Sequence, residues 1–136
     1  MGQPDENIPS ADGQHGGYPA ERKYEGLRIV AEEGLENRWK RHRQNAQLLG
    51  DGLADLGLAC HVPESHRLPS LTTVRAPDGV NEAEVRGRLL QKYNIEIAGG
   101  LGELTGKIWR VGLMGFSSRR ENVITLLEAF RRLLKP

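Results

Sequence analysis

The residue with the clearest chemical potential is an arginine in an otherwise apolar segment. Arg110 lies within IWRVGLMG, residues 108–115, a pattern that predicts a β-strand with Ile108 and Arg110 on one face and Trp109 and Val111 on the other. A guanidinium in such a strand is costly unless an anion meets it, and its planar fork suits a carboxylate. The pattern alone favours an internal ion pair or an edge charge over ligand binding, and these alternatives stay open here.

The segment around this arginine is rich in glycine. Six glycines fall within the 19 residues 97–115. Glycine carries a high entropic cost, so this concentration indicates positive φ angles or a close approach of the backbone to another group. A phosphate-binding loop is not supported, because residues 99–102 lack a Gly-Lys-Ser/Thr ending and a following helix.

Two further groups of residues are of types that could be catalytic or bind metal, but their spacing indicates a structural role for each. Cys60, His61 and His66 match no common zinc spacing and lack a fourth ligand, and Cys60 and His61 point to opposite faces of a predicted strand. Ser118 followed by Glu121 predicts a helix capping box.

The basic run RWKRHR, residues 38–43, could indicate a nucleic-acid patch. Helical spacing instead predicts that Trp39 points to the core while the charges spread over a solvated face.

These residues must be positioned by short strands and amphipathic helices. We predict a helical period from residue 24 interrupted at Gly34, and a helix over residues 82–93 that begins after Asn81. The other predicted elements are helices over residues 36–56 and to about residue 134, and strands over 58–62, 71–76, 95–97 and 108–111. This order indicates an α+β (two-layer α/β) fold: a small sheet of about four strands with helices packed mainly on one face.

Composition sets the broad class. The chain has 136 residues, a net charge of +1 and one cysteine, which suits one domain with no intrachain disulfide. Residues 1–22 are rich in proline and glycine and are expected to form a disordered or loosely attached arm before a domain over residues 23–136. With no long apolar run and no signal sequence, we expect a cytoplasmic protein with neither a nucleic-acid nor a membrane partner.

Four segments make the sequence recognisable: residues 27–49, 68–80, 94–115 and 119–134. They resemble the C-terminal part of the class V pyridoxal-phosphate aminotransferases, most closely the alanine–glyoxylate and serine–pyruvate branch. The resemblance covers about residues 24–136, and the block GGLG…TGK…WRVGLMG is its most specific part.

The resemblance implies the small C-terminal domain of a dimeric transaminase that uses pyridoxal 5'-phosphate. In the family, an amino group passes from an amino acid (alanine or serine) to a keto acid (glyoxylate or pyruvate). By resemblance, Arg110 binds the substrate α-carboxylate, and Gly99 and Gly100 border the substrate pocket.

The family's large domain has no counterpart in this sequence, and none of the five lysines occupies a position like that of the family's cofactor lysine. We therefore expect the chain alone to bind no pyridoxal phosphate, to be inactive, and to have the large domain or another copy of itself as its partner. The alternative is a non-catalytic module for oligomerisation or for binding small carboxylates.

Overall fold

The computed structural model describes residues 20–135, with side chains from residue 23 onward. Residues 1–19 of the predicted arm lie outside the described residues, and a helix begins at Ala20. The described residues fall into two compact units, residues 20–33 and residues 34–135. The described elements are α1 (Ala20–Glu33), α2 (Leu35–Asp55), β1 (Leu71–Arg75), α3 (Glu82–Tyr93), β2 (Ala98–Gly99), β3 (Ile108–Gly112) and α4 (Arg120–Leu134).

Helix α1, in the first unit, is held by ion pairs along its own surface. Arg28 pairs with Glu25 and Glu32, one turn away on either side, and its hydrogen bond lowers the pKa of Glu25. The helix ends where Gly34 adopts a φ of 79°, which confirms the predicted interruption.

The second unit is built on a three-stranded sheet in the order β1-β3-β2, with both pairs antiparallel. Strands β1 and β2 therefore run parallel to each other on either side of β3, and α3 lies between them in the chain. The strand predicted over residues 58–62 is reduced to a bridge between Cys60 and Val74, flanked by a hydrogen bond of 2.8 Å from the His61 amide to the Thr73 carbonyl. The strand predicted over residues 95–97 is not formed there, and the strand in this part of the chain is β2, at Ala98–Gly99.

The helices pack on one face of this sheet, as predicted. Val74, Trp109 and Val111 share that face, and the rings of Trp109 and Phe130 pack with centroids 5.2 Å apart. The helices contribute to the same core Leu49 and Leu53 from α2, Val85 and Leu89 from α3, and Val123, Leu126, Ala129 and Phe130 from α4. Of the helices that the structure describes, none combines the length and apolar character of a membrane span.

Helix α3 has the predicted N-cap. The Oδ1 atom of Asn81 accepts hydrogen bonds of 3.1 Å from the amides of Ala83 and Glu84. At the other end Asn94 takes a left-handed conformation with φ 53°, which stops the helix before β2.

The prediction that Trp39 points to the core is wrong, because its side chain is 60% exposed. Polar residues occupy the inner side of α2 at this level instead. Arg41 donates to the carbonyls of Gly115 and Ser118, and the Gly115 amide donates to Nε2 of His42. Backbone groups of a tight turn need such partners, so polar side chains displace the indole.

The predicted Ser118 capping box is also wrong. Ser118 is fully buried and its Oγ accepts a 3.2 Å hydrogen bond from Nδ2 of Asn45, while Arg119 stands at the N-cap of α4 without a side-chain cap bond. The hydroxyl is used between elements, where a buried asparagine needs a partner more than an exposed helix end does.

Candidate functional site

Arg110 lies at the centre of β3, opposite Thr73 of β1 and Ala98 of β2. Side chains alternate along a strand, and Trp109 and Val111 face the helices, so Arg110 projects from the other face. The side chain is half-buried, and its Nε donates a 2.7 Å hydrogen bond to the carbonyl oxygen of Gly99. This bond sets the direction of the guanidinium.

The remaining edge of the Arg110 guanidinium is open to a ligand. Nη1 and Nη2 make no hydrogen bond or ion pair with any residue that the structure describes. The internal ion pair favoured by the strand pattern is thus not formed within residues 20–135. Two terminal nitrogens side by side can hold both oxygens of a carboxylate.

Gly99 lies between two guanidinium groups. Its carbonyl accepts from Arg110, while a Cβ atom on Gly99 would lie 3.2 Å from both Nε and Nη2 of Arg86. Gly99 pairs with Trp109, so this missing Cβ would point to the helix face, where α3 carries Arg86. A side chain here would press on the Arg86 group.

Arg86 is held by a buried carboxylate that the sequence analysis missed. Its Nε and Nη2 donate to the two carboxylate oxygens of Glu82 at 2.7 and 3.2 Å, and this raises the pKa of Arg86. The Glu82 side chain is only 6% exposed. The available signal was the spacing of Glu82 and Arg86, four residues apart on a helix.

Gly100 is required by a close approach of the backbone. A Cβ atom at this position would lie 2.0 Å from the Leu104 carbonyl oxygen and 3.0 Å from Cγ1 of Ile108. Residues 101–107 fold back here through turns that include Gly102 and Gly106, both at positive φ. The loop thereby covers Ile108 on the face that also carries Arg110.

The hydroxyl of Thr73 was also missed. Its Oγ1 is buried and has no hydrogen-bond partner among the described residues. Thr73 is the register partner of Arg110, so the two side chains project from the same face. A buried polar atom without a partner is uncommon and marks this position beside the arginine as unusual.

The other candidates of the sequence lie elsewhere. Cys60 is half-buried at the bridge beside β1, and His66 is exposed with its Nδ1 2.9 Å from Oγ of Ser65. Among the described residues, no group of three or more His, Cys, Asp or Glu side chains could hold a metal ion.

Among the described residues, no lysine is placed beside Arg110 to hold pyridoxal phosphate. The cofactor needs a lysine that faces a pocket, an acid at the ring nitrogen and phosphate-binding groups. All five lysines are exposed, and none lies in β2 or β3 beside Arg110. Lys107 is the nearest along the chain, and it lines a separate depression of about 440 Å³ with His61 and Arg75.

No model of a protein family matches the sequence. Individual relatives do. The chain is 44% identical over 110 residues to the (S)-ureidoglycine–glyoxylate transaminase of Bacillus subtilis, a match that covers 81% of the chain and 26% of that protein. It is 42% identical to the alanine–glyoxylate aminotransferase of Callithrix jacchus, over 95% of the chain and 33% of that protein.

Solved structures agree in fold and sequence. The alanine–glyoxylate aminotransferase of Nostoc superposes with a TM-score of 0.80 at 54% identity, over 82% of this chain and 29% of that one. The chain thus spans about a third or less of the length of the relatives it matches. On this evidence the chain belongs to the aminotransferase family that includes the alanine–glyoxylate and ureidoglycine–glyoxylate enzymes.

Proposed function

We propose that this chain is the small C-terminal domain of a class V transaminase, in which Arg110 binds the α-carboxylate of the substrate. The substrates proposed are alanine or serine as amino donor and glyoxylate or pyruvate as acceptor. The names of the relatives, which act on glyoxylate with alanine or ureidoglycine, support this substrate class. Gly99 and Gly100 border the pocket, the first through its carbonyl and the second by letting the loop close.

One observation carries the proposal. Arg110 is half-buried in a strand, is oriented by its Nε bond to the Gly99 carbonyl, and leaves both terminal nitrogens without a partner among the described residues. A guanidinium held in this way has already lost much of its side-chain freedom, so a carboxylate gains a bidentate contact at reduced entropic cost.

The direct test is a titration of the chain with pyruvate and glyoxylate, followed by NMR chemical shifts. We expect weak, saturable binding, because residues 20–135 supply only one wall of the pocket. Arg110→Ala should abolish it, whereas Arg110→Lys should weaken it about tenfold through loss of the fork. Arg120→Ala is the matched control, since Arg120 is an exposed arginine of α4, a helix that packs on the opposite face of the sheet. Equal affinity of wild type and Arg110→Ala would refute the carboxylate role.

We propose further that the 136 residues by themselves neither bind pyridoxal phosphate at a defined lysine nor transaminate. The support is the exposure of every lysine and the absence of any lysine from β2 and β3. Incubation with pyridoxal phosphate, borohydride reduction and peptide mapping would measure this. We expect only partial, scattered labelling, and stoichiometric labelling of a single lysine would contradict the proposal.

The proposal includes a dimeric assembly in the cytoplasm, together with the remainder of the enzyme. A single cysteine, half-buried beside β1, is compatible with a reducing compartment. Sedimentation of the chain alone and with a purified large domain from a relative would test for these partners.

A second candidate function is a non-catalytic assembly module, and exposed apolar side chains favour it. In the second unit Trp39, Met114 and Phe116 are 60%, 58% and 77% exposed. Under this alternative, Phe116→Ser should lower self-association in sedimentation without changing pyruvate binding. If the chain is monomeric at all concentrations, this alternative fails.

A further inference from the structure

We propose that the Glu82–Arg86 ion pair is a positioning device for Arg110 and acts through the peptide of Gly99. The inference rests on the proposed function in one respect, which is that Arg110 is the group that meets a carboxylate. Arg86 itself does not face that ligand, because it lies on the helix side of the sheet.

The Gly99 peptide is the link between the two arginines. From the helix side, Nε, Nη2 and Cζ of Arg86 all lie 3.2–3.3 Å from the position that a Gly99 Cβ would occupy, so the flat guanidinium covers this residue. Nε of Arg110 binds the Gly99 carbonyl oxygen at 2.7 Å. Movement of Gly99 therefore moves the acceptor that aims Arg110.

Strand β2 needs this support. It has two residues, Ala98 and Gly99, and it lies at the edge of the sheet with β3 as its one partner strand. Such a short edge strand has few ladder hydrogen bonds to fix it. Helix α3, which carries Arg86, is the element that packs against it.

The ion pair with Glu82 fixes the position and orientation of the Arg86 guanidinium. Glu82 takes both Nε and Nη2, at 2.7 and 3.2 Å, and its side chain is nearly buried at 6% exposure. The Glu82 carbonyl also accepts a 3.1 Å hydrogen bond from Nε1 of Trp109, the residue that precedes Arg110. The first turn of α3 is thereby joined to β3 and, through Arg86, lies against β2.

In this pair Glu82 is nearly buried and Arg86 is one-third exposed, and such a pair is weak evidence for stability, so its role here is to orient Gly99. Without the planar guanidinium of Arg86 packed against it, the Gly99 peptide becomes more mobile. The hydrogen bond from Nε of Arg110 to the Gly99 carbonyl then breaks more often. The terminal nitrogens then sample more directions, and a carboxylate finds the fork less often in the productive one.

The experiment uses the full 136-residue chain with pyruvate as the probe. The variants are Arg86→Gln, Arg86→Lys and the milder Glu82→Gln, which keeps an acceptor for Arg86. Arg88→Gln is the matched control, because it removes the same charge from α3 and Arg88 has no bond to a described residue. The readouts are the Arg110 Nε–H resonance, assigned by its loss in Arg110→Lys, its hydrogen-exchange rate, the pyruvate Kd, and the midpoint of chemical unfolding.

We expect Arg86→Gln to speed Nε–H exchange and weaken pyruvate binding by about 2- to 10-fold each, the range set by the loss of one hydrogen bond's net stabilisation. The exchange rate and the pyruvate Kd of Arg86→Lys should lie between those of wild type and Arg86→Gln, since an ammonium keeps the charge but not the planar shape of the guanidinium. Arg88→Gln should match wild type in both readouts.

A purely structural role predicts a different result: a lower unfolding midpoint with an unchanged Arg110 resonance and exchange rate. That outcome in both Arg86→Gln and Glu82→Gln overturns the inference. If Arg86→Gln does not fold, Glu82→Gln decides alone. If wild type binds no pyruvate, the proposed function fails, while the Nε–H readout still decides whether Arg86 positions Arg110.

Discussion

The bond from Arg110 Nε to the Gly99 carbonyl decides which part of the guanidinium a ligand can meet. With Nε engaged, the two terminal nitrogens form the remaining pair of donors, and they project from the sheet face opposite the helices. Oγ1 of Thr73, which has no hydrogen-bond partner within the described part of the chain, adds a second polar group on that face. These two features make the centre of the sheet, not its loops, the part of the chain that is chemically distinctive.

Some glycines are required because an added Cβ atom would clash with a neighbouring group, and others are not. Gly100→Ala would place a Cβ 2.0 Å from the Leu104 carbonyl, whereas the Cβ of Gly87→Ala on α3 would meet nothing within 4 Å. We expect Gly100→Ala to lower the free energy of unfolding by about 1–3 kcal/mol through overpacking. Gly87→Ala should raise it by about 1 kcal/mol through helix propensity.

Urea unfolding followed by circular dichroism measures both glycine variants. If both substitutions destabilise the fold, or neither does, the clash with the Leu104 carbonyl is not the reason that position 100 requires glycine. Because a backbone carbonyl cannot rotate away as a side chain can, relaxation of the loop is the only escape for Gly100→Ala.

At the scale of elements, α4 carries ion pairs on its outer surface that couple it to pH. Glu128 pairs with Arg132 at 2.8 Å and also with Arg131. The hydrogen bond from Arg132, followed by the charges around it, lowers the pKa of Glu128 below 4.5. A carboxyl whose pKa is lowered on folding stabilises the fold above its unfolded pKa and loses this contribution as the pH falls through its folded pKa.

We therefore expect the unfolding free energy of the wild type to fall more steeply below about pH 4.5 than that of Glu128→Gln. The difference should shrink in high salt, because exposed pairs are screened. Glu96→Gln, an exposed glutamate without an ion pair among the described residues, is the control. Parallel pH profiles for wild type and Glu128→Gln would contradict the expected coupling.

Sequence patterns predicted some of the helices and strands correctly and others not. Local signals were sufficient for α2, α3, β1 and β3, because amphipathic periodicity, the Asn81 cap and β-branched runs depend on near neighbours. The strand predicted over residues 58–62 failed to extend because pairing depends on a partner strand. The inward face of α2 near Trp39 was missed for the same reason: the polar turn at Gly115 that occupies it is distant in sequence.

At the scale of the whole molecule, the core determines which part of the chain can fold alone. Every buried apolar residue among those described lies between Leu49 and Phe130, inside the unit of residues 34–135. The relatives add other parts, because the matched region is 26% to 33% of their length. Most of the length of these relatives therefore lies outside the match, while Arg110, the arginine that we propose as the carboxylate ligand, lies within it.

We expect the chain without residues 1–33 to unfold in one cooperative transition, with a midpoint close to that of the full chain. A deletion of residues 1–48 removes much of α2 and should abolish this transition, because Asn45 and Arg41 then no longer satisfy the turn at Gly115–Ser118. Circular dichroism during urea unfolding measures both. A broad, non-cooperative transition after removal of residues 1–33 would show that the second unit is not a folding unit.

The helices, the strands β1 and β3, the glycine-rich segment, the arginine within an apolar strand and the family resemblance all depend on local runs of residues, and sequence alone determined them. The register that sets Thr73 beside Arg110, the Gly99 carbonyl that engages Nε, and the packing of Arg86 against Gly99 join residues that are more distant along the chain. Only the tertiary structure decided these, because a hydrogen bond or a burial depends on which groups meet in space, and local periodicity carries no information about that.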